Sequence, residues 1–418
     1  MSRLKELIER LCPDGVPFVK LGDYINIYTG DQFNKRDMST SGSYPVVNGG
    51  INPSGFIESY NEPRDTISIS QGGASAGYVA WQDTPFWAGA HCYVIRPDSK
   101  LIINRFLYFF LKNKESYLQQ MQHGAGIPAL NRDKVKELKF PLVPIEVQEE
   151  IVRILDTFCA YAAELQAELQ ARKEQYEYYR NLLLTFNPSA CGCGTDGEQE
   201  IKANTTGEGF TPPLLTNVNI IWRTMGDIME VSRGASPRPI QSFLTDSELG
   251  IPWIKIGDIS PDSKYVKSTA QKITRAGASK SRLLHRGDFI LSNSMSFGRP
   301  YILDIDGCIH DGWVSLQHYE DTYLSDFLYH LLKSDYVQNF WQKNAGQGGA
   351  VSNLNADIIR RTPVPVPPIE VQEKIVAILD RFEALVNDLT QGLPAEIAAV
   401  RERYEYYRNK LLTFKKRA

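Results

Sequence analysis

The chain has 418 residues, of which 42% are apolar and 23% charged, and its formal net charge is −3. That length is too great for one ordinary hydrophobic core, so two or three domains are expected. No apolar run approaches the roughly 20 residues of a membrane span, and the start MSRLKELIERLCPDG lacks the apolar segment of a secretory signal, so we expect a cytoplasmic protein.

The first predicted domain covers residues 1–143 and is mixed α/β. Short β-branched and aromatic runs, such as YPVVN, TISIS and HCYVIRP, are separated by Gly, Pro, Asn and Asp, which predicts strands joined by turns. The run RFLYFFLKNKESYLQQM predicts a helix. A Gly-rich loop at 123–131 follows. We expect it to connect the domain to the next helix, with a clamp on DNA as the alternative.

A long helix is predicted over residues 144–187. Pro144 precedes it, and Asn187 with Pro188 ends it. Alternating steps of four and three residues from Ile151 meet apolar side chains at ten of eleven positions, which is the spacing of a coiled-coil seam. These positions are Ile151, Leu155, Phe158, Ala162, Leu165, Leu169, Arg172, Tyr176, Tyr179, Leu183 and Phe186.

Residues 188–216 have few large apolar side chains and much Gly, Thr and Pro, which predicts a flexible linker. The linker contains Cys191 and Cys193. We interpret these as two reduced thiols rather than as half of a metal site. Zinc needs four ligands, and no cluster of His or Cys lies near them in the sequence. The acidic excess of the chain lies in residues 144–216, so the net charge does not argue against nucleic-acid binding by the domains.

The chain then repeats itself. A second α/β domain over 217–367, closed by a Gly-rich loop at 344–355, precedes a second helical segment over 368–418. PIEVQEEIVRILD at Pro144 returns as PIEVQEKIVAILD at Pro368, and YEYYRNLLLTF returns as YEYYRNKLLTF. Within the domains the matches are weaker: FVKLGDYINIYTG with WRTMGDIMEVSRG, DTISIS with DFILSN, and RFLYFFLKN with DFLYHLLKS.

The second helical segment keeps the seam, with one interruption. Two steps of four residues follow each other near Gly392 and Pro394, which predicts a kink or a short break. The seam positions are Ile375, Leu379, Phe382, Val386, Leu389, Leu393, Ile397, Val400, Tyr404, Tyr407, Leu411 and Phe414.

These elements predict an α+β protein with two pseudo-twofold related α/β domains separated by a long antiparallel two-helix coiled coil. The first helix carries the chain roughly 54 Å, at about 1.5 Å per residue, so a second helix packed on it must run back. The alternative is that each helix packs on its own domain as a core helix. Two unlike domains held at a fixed separation suit the reading of two short marks on DNA.

Signatures of catalysis are missing from the sequence. It has no P-loop, no G-x-G-x-x-G, no Asn/Asp-Pro-Pro-aromatic run and no His-Glu pair at metal-ligand spacing. PDSK occurs at 97–100 and 261–264 and resembles a fragment of a nuclease element, but turn chemistry explains it equally well. We expect no chemistry of the chain's own.

The repeated motifs resemble those of the specificity subunit of type I restriction-modification enzymes. They are the P-hydrophobic-x-x-Q-x-x-I run at both helix starts, the D-x-F that follows, YEYYRN-x-LLTF, and the entry LCPDGV-x-F-x-x-LG. The resemblance implies that each domain is a target-recognition domain for one half of a bipartite DNA site. It also implies that the helices set the spacer and dock two methyltransferase subunits, which a motor-nuclease subunit joins. S-adenosylmethionine, ATP and Mg would then bind the partner subunits only. The interrupted second helix puts in doubt any spacer length inferred by analogy.

Side chains that form forks of hydrogen bonds with bases, or that pair with phosphates, are the candidates for DNA contact. The stretch 255–286 is the most basic of the chain, and further candidates lie in loops after predicted strands. The candidates are Lys35, Arg36, Ser70, Gln71, Tyr78, Arg233, Arg238, Lys255, Lys272, Arg275, Lys280, Arg282, Asn293, Ser294 and Arg299.

The repeated polar residues at the two helix starts are the candidates for docking a partner. Acidic preference at a helix N-terminus explains the glutamates without a partner, but it does not explain the repeated glutamine. The candidates are Glu146, Gln148, Glu149, Glu370, Gln372 and Glu373.

The sequence is compatible with two rival functions. One is a two-headed scaffold that binds two proteins and no DNA. The other is a solitary enzyme whose site the sequence does not reveal.

Overall fold

The computed structural model describes residues 2–122, 128–186, 200–202, 218–260, 263–293, 297–345, 354–388 and 391–417. Cys191, Cys193 and Ser294 lie outside the described residues, as do most of both Gly-rich loops and most of the predicted linker. The chain divides into two compact units. Unit 1 comprises Met1–Gln166 and Glu396–Ala418, and unit 2 comprises Ala167–Ala395.

Unit 1 contains three small sheets and the helices that cover them. Its strands are β1 (Phe18–Lys20), β2 (Ile25–Thr29), β3 (Tyr44–Val47), β4 (Phe56–Ile57), β5 (Thr66–Ser70), β6 (Val79–Gln82), β7 (Trp87–Ala88), β8 (Cys92–Pro97) and β9 (Lys139–Pro141). Its shorter helices are α1 (Ser2–Leu11), α2 (Asn104–Asn113), α3 (Glu115–Gln120) and α4 (Arg132–Lys136). The strand orders are β2-β8-β5-β6, β4-β3-β7 and β1-β9.

The helical scaffold is divided between the units. Helix α5 (Ile145–Leu184) begins in unit 1 and ends in unit 2. The second helical segment forms two helices, α11 (Ile369–Asn387) and α12 (Leu393–Leu411). The predicted interruption near Gly392 is therefore confirmed as a break. Seam residues Ile151, Leu155 and Ile375 are fully buried, as their spacing predicts.

Unit 2 repeats the strand order of unit 1 and adds to it. Its strands are β10 (Glu200–Lys202), β11 (Asn219–Thr224), β12 (Glu230–Arg233), β13 (Leu244–Thr245), β14 (Ile251–Ile254), β15 (Tyr265–Val266), β16 (Gln271–Ile273), β17 (Arg282–Leu284), β18 (Phe289–Ser292), β19 (Pro300–Leu303), β20 (Gly307–Ile309), β21 (Trp313–Gln317) and β22 (Pro363–Val366). Its shorter helices are α6 (Met225–Ile228), α7 (Arg275–Ala278), α8 (Ser325–Leu332), α9 (Asp335–Asn344) and α10 (Ala356–Arg360). The order β12-β21-β18-β19 matches β2-β8-β5-β6.

One part of the predicted linker is ordered as a strand. Residues 200–202 form β10, which pairs antiparallel with β11. The prediction of a flexible linker over the whole of 188–216 is therefore wrong at these three residues. The segment EIK carries one β-branched side chain between two charged ones, a pattern too short to have predicted a strand.

The register of the repeat differs by one residue from the match of DTISIS with DFILSN. The Ser70 amide donates to the carbonyl of Tyr78, and the Ser292 amide donates to that of Arg299. The next residues, Gln71 and Asn293, donate to His91 and Gly312. Gln71 therefore corresponds to Asn293, and Tyr78 corresponds to Arg299.

Equivalent aromatic pairs join the helices inside each unit. In unit 1, Phe158 of α5 stacks on Tyr407 of α12, with ring centroids 5.5 Å apart. In unit 2, Phe382 of α11 stacks on Tyr179 of α5 at the same distance. Tyr161 also donates a hydrogen bond to Glu396. Moving along α5 from Phe158 to Tyr161, the contacted residue changes from Tyr407 to Glu396, which is earlier in the chain. Helices α5 and α12 are therefore antiparallel in unit 1, as predicted.

A glycine at the same position in both domains allows two backbone segments to approach closely. Gly30 corresponds to Gly234, and they directly follow the equivalent strands β2 and β12. A Cβ atom at Gly30 would collide with the carbonyl oxygen of Ala88, and one at Gly234 would collide with that of His310. Only a residue without a side chain permits this close backbone approach.

Candidate nucleic-acid interface

An open cleft in unit 2 gathers three of the predicted DNA-contacting residues. Its volume is about 550 Å³. Arg233, Lys255 and Asn293 line it together with residues that the sequence reasoning missed. The missed polar residues are His310, Asp311 and Asn355.

The ends of two strands that flank β21 in the sheet position this cleft. Arg233 ends β12 and Asn293 follows β18. The Arg233 Nε donates to the carbonyl oxygen of Asp311 at 3.2 Å, and the Asn293 Nδ2 donates to the same oxygen at 3.1 Å. Asn355 caps α10 by accepting a hydrogen bond from the amide of Ile358. One carbonyl thus orients both an arginine and an amide side chain at the cleft.

The charges around Asp311 make this cleft a mixed polar surface. A hydrogen bond from the Ser236 hydroxyl lowers the pKa of Asp311, so its carboxylate is ionised at neutral pH. Arg238, with a side chain that is 82% exposed, lies 3.5 Å from this carboxylate. Burial lowers the pKa of His310, which favours a neutral ring. Cations and hydrogen-bond acceptors therefore stand side by side, as sequence readout requires.

The remaining candidates of the basic stretch border the cleft or lie away from its lining. The Arg282 Nε donates to the carbonyl oxygen of Arg233 at 3.0 Å, which places Arg282 at the edge. Lys272 donates to the carbonyl oxygen of Glu248, and the ammonium of Lys280 lies 4.7 Å from the Phe243 ring centroid. Arg275 begins α7 and is exposed.

Unit 1 has a smaller cleft at the equivalent place. Its volume is about 300 Å³, and Gln71 lines it at the position that Asn293 occupies in unit 2. Its other lining residues are Thr29, Tyr93, Ala129, Leu130, Asn131 and Arg132. Burial raises the pKa of Tyr93, whose hydroxyl donates to the carbonyl of Leu130.

Backbone contacts establish that the two clefts are equivalent. The Leu130 amide donates to the carbonyl of Gln71, and the Leu354 amide donates to that of Asn293. Each leucine precedes an asparagine that caps a short helix. The dipeptide Leu-Asn, repeated at the end of each Gly-rich loop, was the sequence signal that could have identified Asn131 and Asn355.

Four further candidates for DNA contact, three in unit 1 and one in unit 2, do not line the two equivalent clefts. Lys35 and Arg36 are exposed on a short 3₁₀ turn at Lys35–Asp37 and do not line the cleft. Tyr78 packs beneath the ammonium of Lys112, 4.4 Å from the ring centroid. Arg299, its counterpart, lines a different cleft of unit 2.

Ser70, a candidate for DNA contact, is buried in the structure. Its hydroxyl donates to the carbonyl oxygen of Gly49 at 2.7 Å. The sequence interpretation of Ser70 as a DNA-contacting residue is therefore corrected. The hydroxyl holds a loop at the rim of the unit 1 domain instead.

Two segments of the chain match one protein-family model. The model described as type I restriction modification DNA specificity domain matches residues 13–174 and 219–399. The chain belongs to this family. The two matches follow the internal repeat and cover both α/β domains with most of the helical segments.

Relatives of the chain carry the same family description. The specificity subunit of the type I restriction enzyme EcoR124I/EcoR124II of Escherichia coli is 29% identical over 440 aligned positions, covering 100% of this chain and 98% of the relative. The fold is similar to a chain in a structure titled as the basis of complex assembly and conformational transition of the type I R-M system. That similarity has a TM-score of 0.58 at 18% identity and covers 96% of this chain and 98% of that chain.

A second solved structure agrees in fold. The S subunit of the type I restriction-modification system of M. genitalium matches with a TM-score of 0.50 at 18% identity, covering 95% of each chain. The predicted fold class is therefore confirmed, with two related α/β domains and an antiparallel helix pairing in unit 1. The resemblance to type I specificity subunits is confirmed as well.

The repeated glutamine at the helix starts of this specificity-subunit family member is buried. Gln148 accepts a hydrogen bond from the amide of Ile103 and donates to the carbonyl oxygens of Leu101 and Val143, each at 2.8 Å. Gln372 makes the same three bonds, at 2.9–3.0 Å, with Leu324, Thr322 and Pro367. Both side chains are fully buried.

The interpretation of these glutamines as docking residues is therefore corrected. Their repetition has a structural cause, since each ties its helix start to the domain of its own unit. Glu146, Glu149, Glu370 and Glu373 are exposed at the same helix starts. A docking role for these four glutamates stays a prediction.

A cluster of His330, Asp380 and Glu383 in unit 2 has the composition of a metal site, since its ligand atoms lie within 4.8 Å of one another. The His330 Nε2 lies 2.8 Å from an Asp380 oxygen, and its Nδ1 lies 3.2 Å from the Tyr176 hydroxyl. The ammonium groups of Lys264 and Lys333 lie 3.9 and 3.3 Å from the two carboxylates. These positive charges oppose a further cation, so the cluster is a network of ion pairs and hydrogen bonds.

Among the described residues, none of the helices has both the length and the apolar character to cross a membrane. The first PDSK motif is a turn, because the Asp98 carboxylate accepts a hydrogen bond from the amide of Lys100. The second begins outside the described residues.

Proposed function

We propose that this chain is the sequence-reading, non-catalytic subunit of a type I restriction-modification complex, and that each domain reads one half of a bipartite DNA site. The observation that carries the proposal is the pair of equivalent clefts with unlike linings. Both clefts present an amide side chain at the same position, Gln71 in one and Asn293 in the other. Around them the linings diverge, with Thr29 in the place of Arg233.

The chemistry of these side chains fits readout of bases. Asn and Gln form paired hydrogen bonds with adenine, and Arg forms them with guanine. The cleft of unit 2 therefore combines a purine-reading amide with Arg233. In unit 1 the amide is accompanied by Thr29 at that place, and the arginine of the cleft, Arg132, comes from a different position. Unlike linings at equivalent positions are what two different half-sites require.

The partners of the proposal are double-stranded DNA and two methyltransferase subunits, with a motor-nuclease subunit as a further partner. The exposed glutamates at both helix starts support one type of partner that binds twice. S-adenosylmethionine, ATP and Mg would bind these partners, and the chain itself would hold no cofactor. Location in the cytoplasm, where such complexes meet DNA, is part of the same proposal.

Selection of bound duplexes from a randomised DNA library tests the proposal. The chain, in complex with its methyltransferase subunit, is compared with Gln71→Ala and Asn293→Ala. We expect each substitution to relax one position in one half-site only, by about 1–3 kcal/mol of discrimination. Lys343→Ala, an exposed substitution on α9 outside both clefts, is the control.

The outcomes separate the rival functions. Loss of base preference in both half-sites from either substitution would contradict the assignment of one half-site to each domain. Enrichment of no sequence by any complex would favour the two-headed protein scaffold without DNA specificity. Methyl transfer by the purified chain alone would favour the solitary enzyme.

A further inference from the structure

A second cleft in unit 2 shares no lining residue with the one assigned to base readout. Its volume is about 300 Å³, and it lies where the C-terminal part of α5 meets α8, α11 and the start of β19. Its charged lining residues are Lys173, Glu177, Arg180, Arg299, Lys333 and Glu383. Four cations therefore face two carboxylates, so the cleft has an excess of positive charge.

The most buried of these cations has unused hydrogen-bonding capacity. Arg180 is 8% exposed, and its guanidinium carbon lies 5.4 Å from the Tyr176 ring centroid. One terminal nitrogen lies 3.9 Å from an oxygen of the exposed Asp335, which is a weak contact. Its Nε has no hydrogen-bond partner within the described residues. Because burying a donor without an acceptor is unfavourable, an anion in the cleft would stabilise this guanidinium.

The neighbouring Lys333 has a single carboxylate partner in the cleft. The Lys333 ammonium donates to Glu383 at 3.3 Å and to the Tyr329 hydroxyl at 3.2 Å. Burial lowers the pKa of Lys333, and the charges of Arg180 and Lys264 act in the same direction, against the effect of Glu383. The single carboxylate beside Lys333 therefore leaves the positive charge of the cleft incompletely balanced.

The equivalent residues of unit 1 are arranged differently. Arg408, the counterpart of Arg180, donates from Nε to the Asn113 side chain at 3.3 Å. Tyr78 stands in the place of Arg299, with its ring against Lys112. Cys159 stands in the place of Glu383. The cationic lining is thus not imposed by the shared scaffold, since the same scaffold in unit 1 satisfies or replaces these groups.

We propose that this cleft of unit 2 binds a phosphoryl group, either of a small free anion or of a nucleic-acid backbone. Arginine forks and ammonium groups converge on the cleft from α5, α8 and the start of β19. A phosphoryl group offers oxygens on several sides, which a cleft with donors on different walls can contact at once. The proposal does not depend on base readout by the other cleft.

Calorimetric titration of the full chain with inorganic diphosphate, at constant ionic strength, tests this proposal. Lys173 and Arg299 are both exposed, so the double substitution Lys173→Gln with Arg299→Gln removes two cations without opening the core. We expect saturable binding by the unsubstituted chain and a loss of affinity of about tenfold or more in the double variant. Arg401→Gln, at the exposed counterpart of Lys173 in unit 1, should bind as the unsubstituted chain does.

A second arm identifies the source of the phosphoryl group. Competition between diphosphate and duplex DNA would assign the site to the nucleic-acid backbone, whereas simultaneous binding would assign it to a free anion. Either result supports the site. Absence of saturable diphosphate binding, or equal affinity in the unsubstituted chain and the double variant, would overturn it. A failure of base readout leaves the diphosphate titration unaffected, so the two proposals fail separately.

Discussion

At the residue scale, the buried glutamines explain the most conspicuous repeat in the sequence. A single Gln side chain satisfies one amide and two carbonyl groups where the domain passes into its helix. Buried backbone groups need such partners, because water cannot reach them. The repetition of Gln148 as Gln372 therefore follows from two copies of the same junction, and it requires no partner.

Gln148→Ala should lower the free energy of unfolding by about 3 kcal/mol, because it leaves buried backbone groups without hydrogen-bond partners. Urea denaturation followed by circular dichroism measures the change. Glu149→Ala, at the exposed neighbour, should change stability by less than about 0.5 kcal/mol. Unchanged stability of Gln148→Ala, together with loss of partner binding, would restore the docking interpretation of the glutamine.

His310 should give the fold a pH dependence of known sign. Burial lowers its pKa below the ordinary value of 6.5, so the unfolded chain takes up a proton that the folded chain does not. The stabilising contribution of the neutral ring is complete above pH 6.5 and is lost as the pH falls through the lowered pKa. Asp311 and Asp258 oppose this shift, and Lys255 adds to it.

The melting temperature at pH 7.5 and pH 5.5 tests the contribution of His310. The unsubstituted chain should lose more stability over this interval than His310→Asn does. His318→Asn is the matched control, because His318 is exposed and its positive φ of 61° suits asparagine. Equal losses in the unsubstituted chain and His310→Asn would contradict the assignment.

At the element scale, the helices were predictable because their signal is local. A seam with steps of four and three residues specifies which face of α5 is buried, and an extra step near Gly392 specifies the break before α12. The glutamines were misassigned because a polar side chain in an amphipathic pattern ordinarily lies on the exposed face.

The strand register was less predictable. All residues of β5 and all those of β18 are buried, so neither strand shows the alternation that fixes a register. The alignment of DTISIS with DFILSN was therefore wrong by one residue, because no pattern of exposed side chains fixed it. The clefts were also hidden from the sequence, because Gln71 and Asn131 meet through tertiary packing of segments that are distant in the chain.

Leu411→Ala and Val386→Ala should loosen different units. Leu411 belongs to the unit 1 core, and Val386 is buried within unit 2. Each cavity should cost about 1–4 kcal/mol. Hydrogen exchange should speed up around Val16 and the start of α5 for Leu411→Ala, and around α8 for Val386→Ala. The same pattern of faster exchange in both variants would contradict the division of the helices between two units.

At the scale of the whole molecule, the net charge of −3 does not describe the two α/β domains, because the acidic excess lies in residues 144–216. The family match, the internal repeat and the paired clefts all indicate two related domains, and the reading of unlike targets by these domains is our proposal. The fold could be derived from the repeat and its helices, but the recognised bases could not. Base contacts depend on the geometry of a few loop residues and on the deformability of the DNA itself.

Methylome sequencing tests the central claim most directly. The chain is expressed with its methyltransferase subunit in a host that lacks DNA methylation, beside a control that lacks the chain. We expect one bipartite methylated motif, present only when both subunits are expressed, and we expect Asn293→Ala to relax one half of it. Methylation that is unchanged without the chain, or absent despite a stable complex, would contradict the assignment of sequence recognition to this protein.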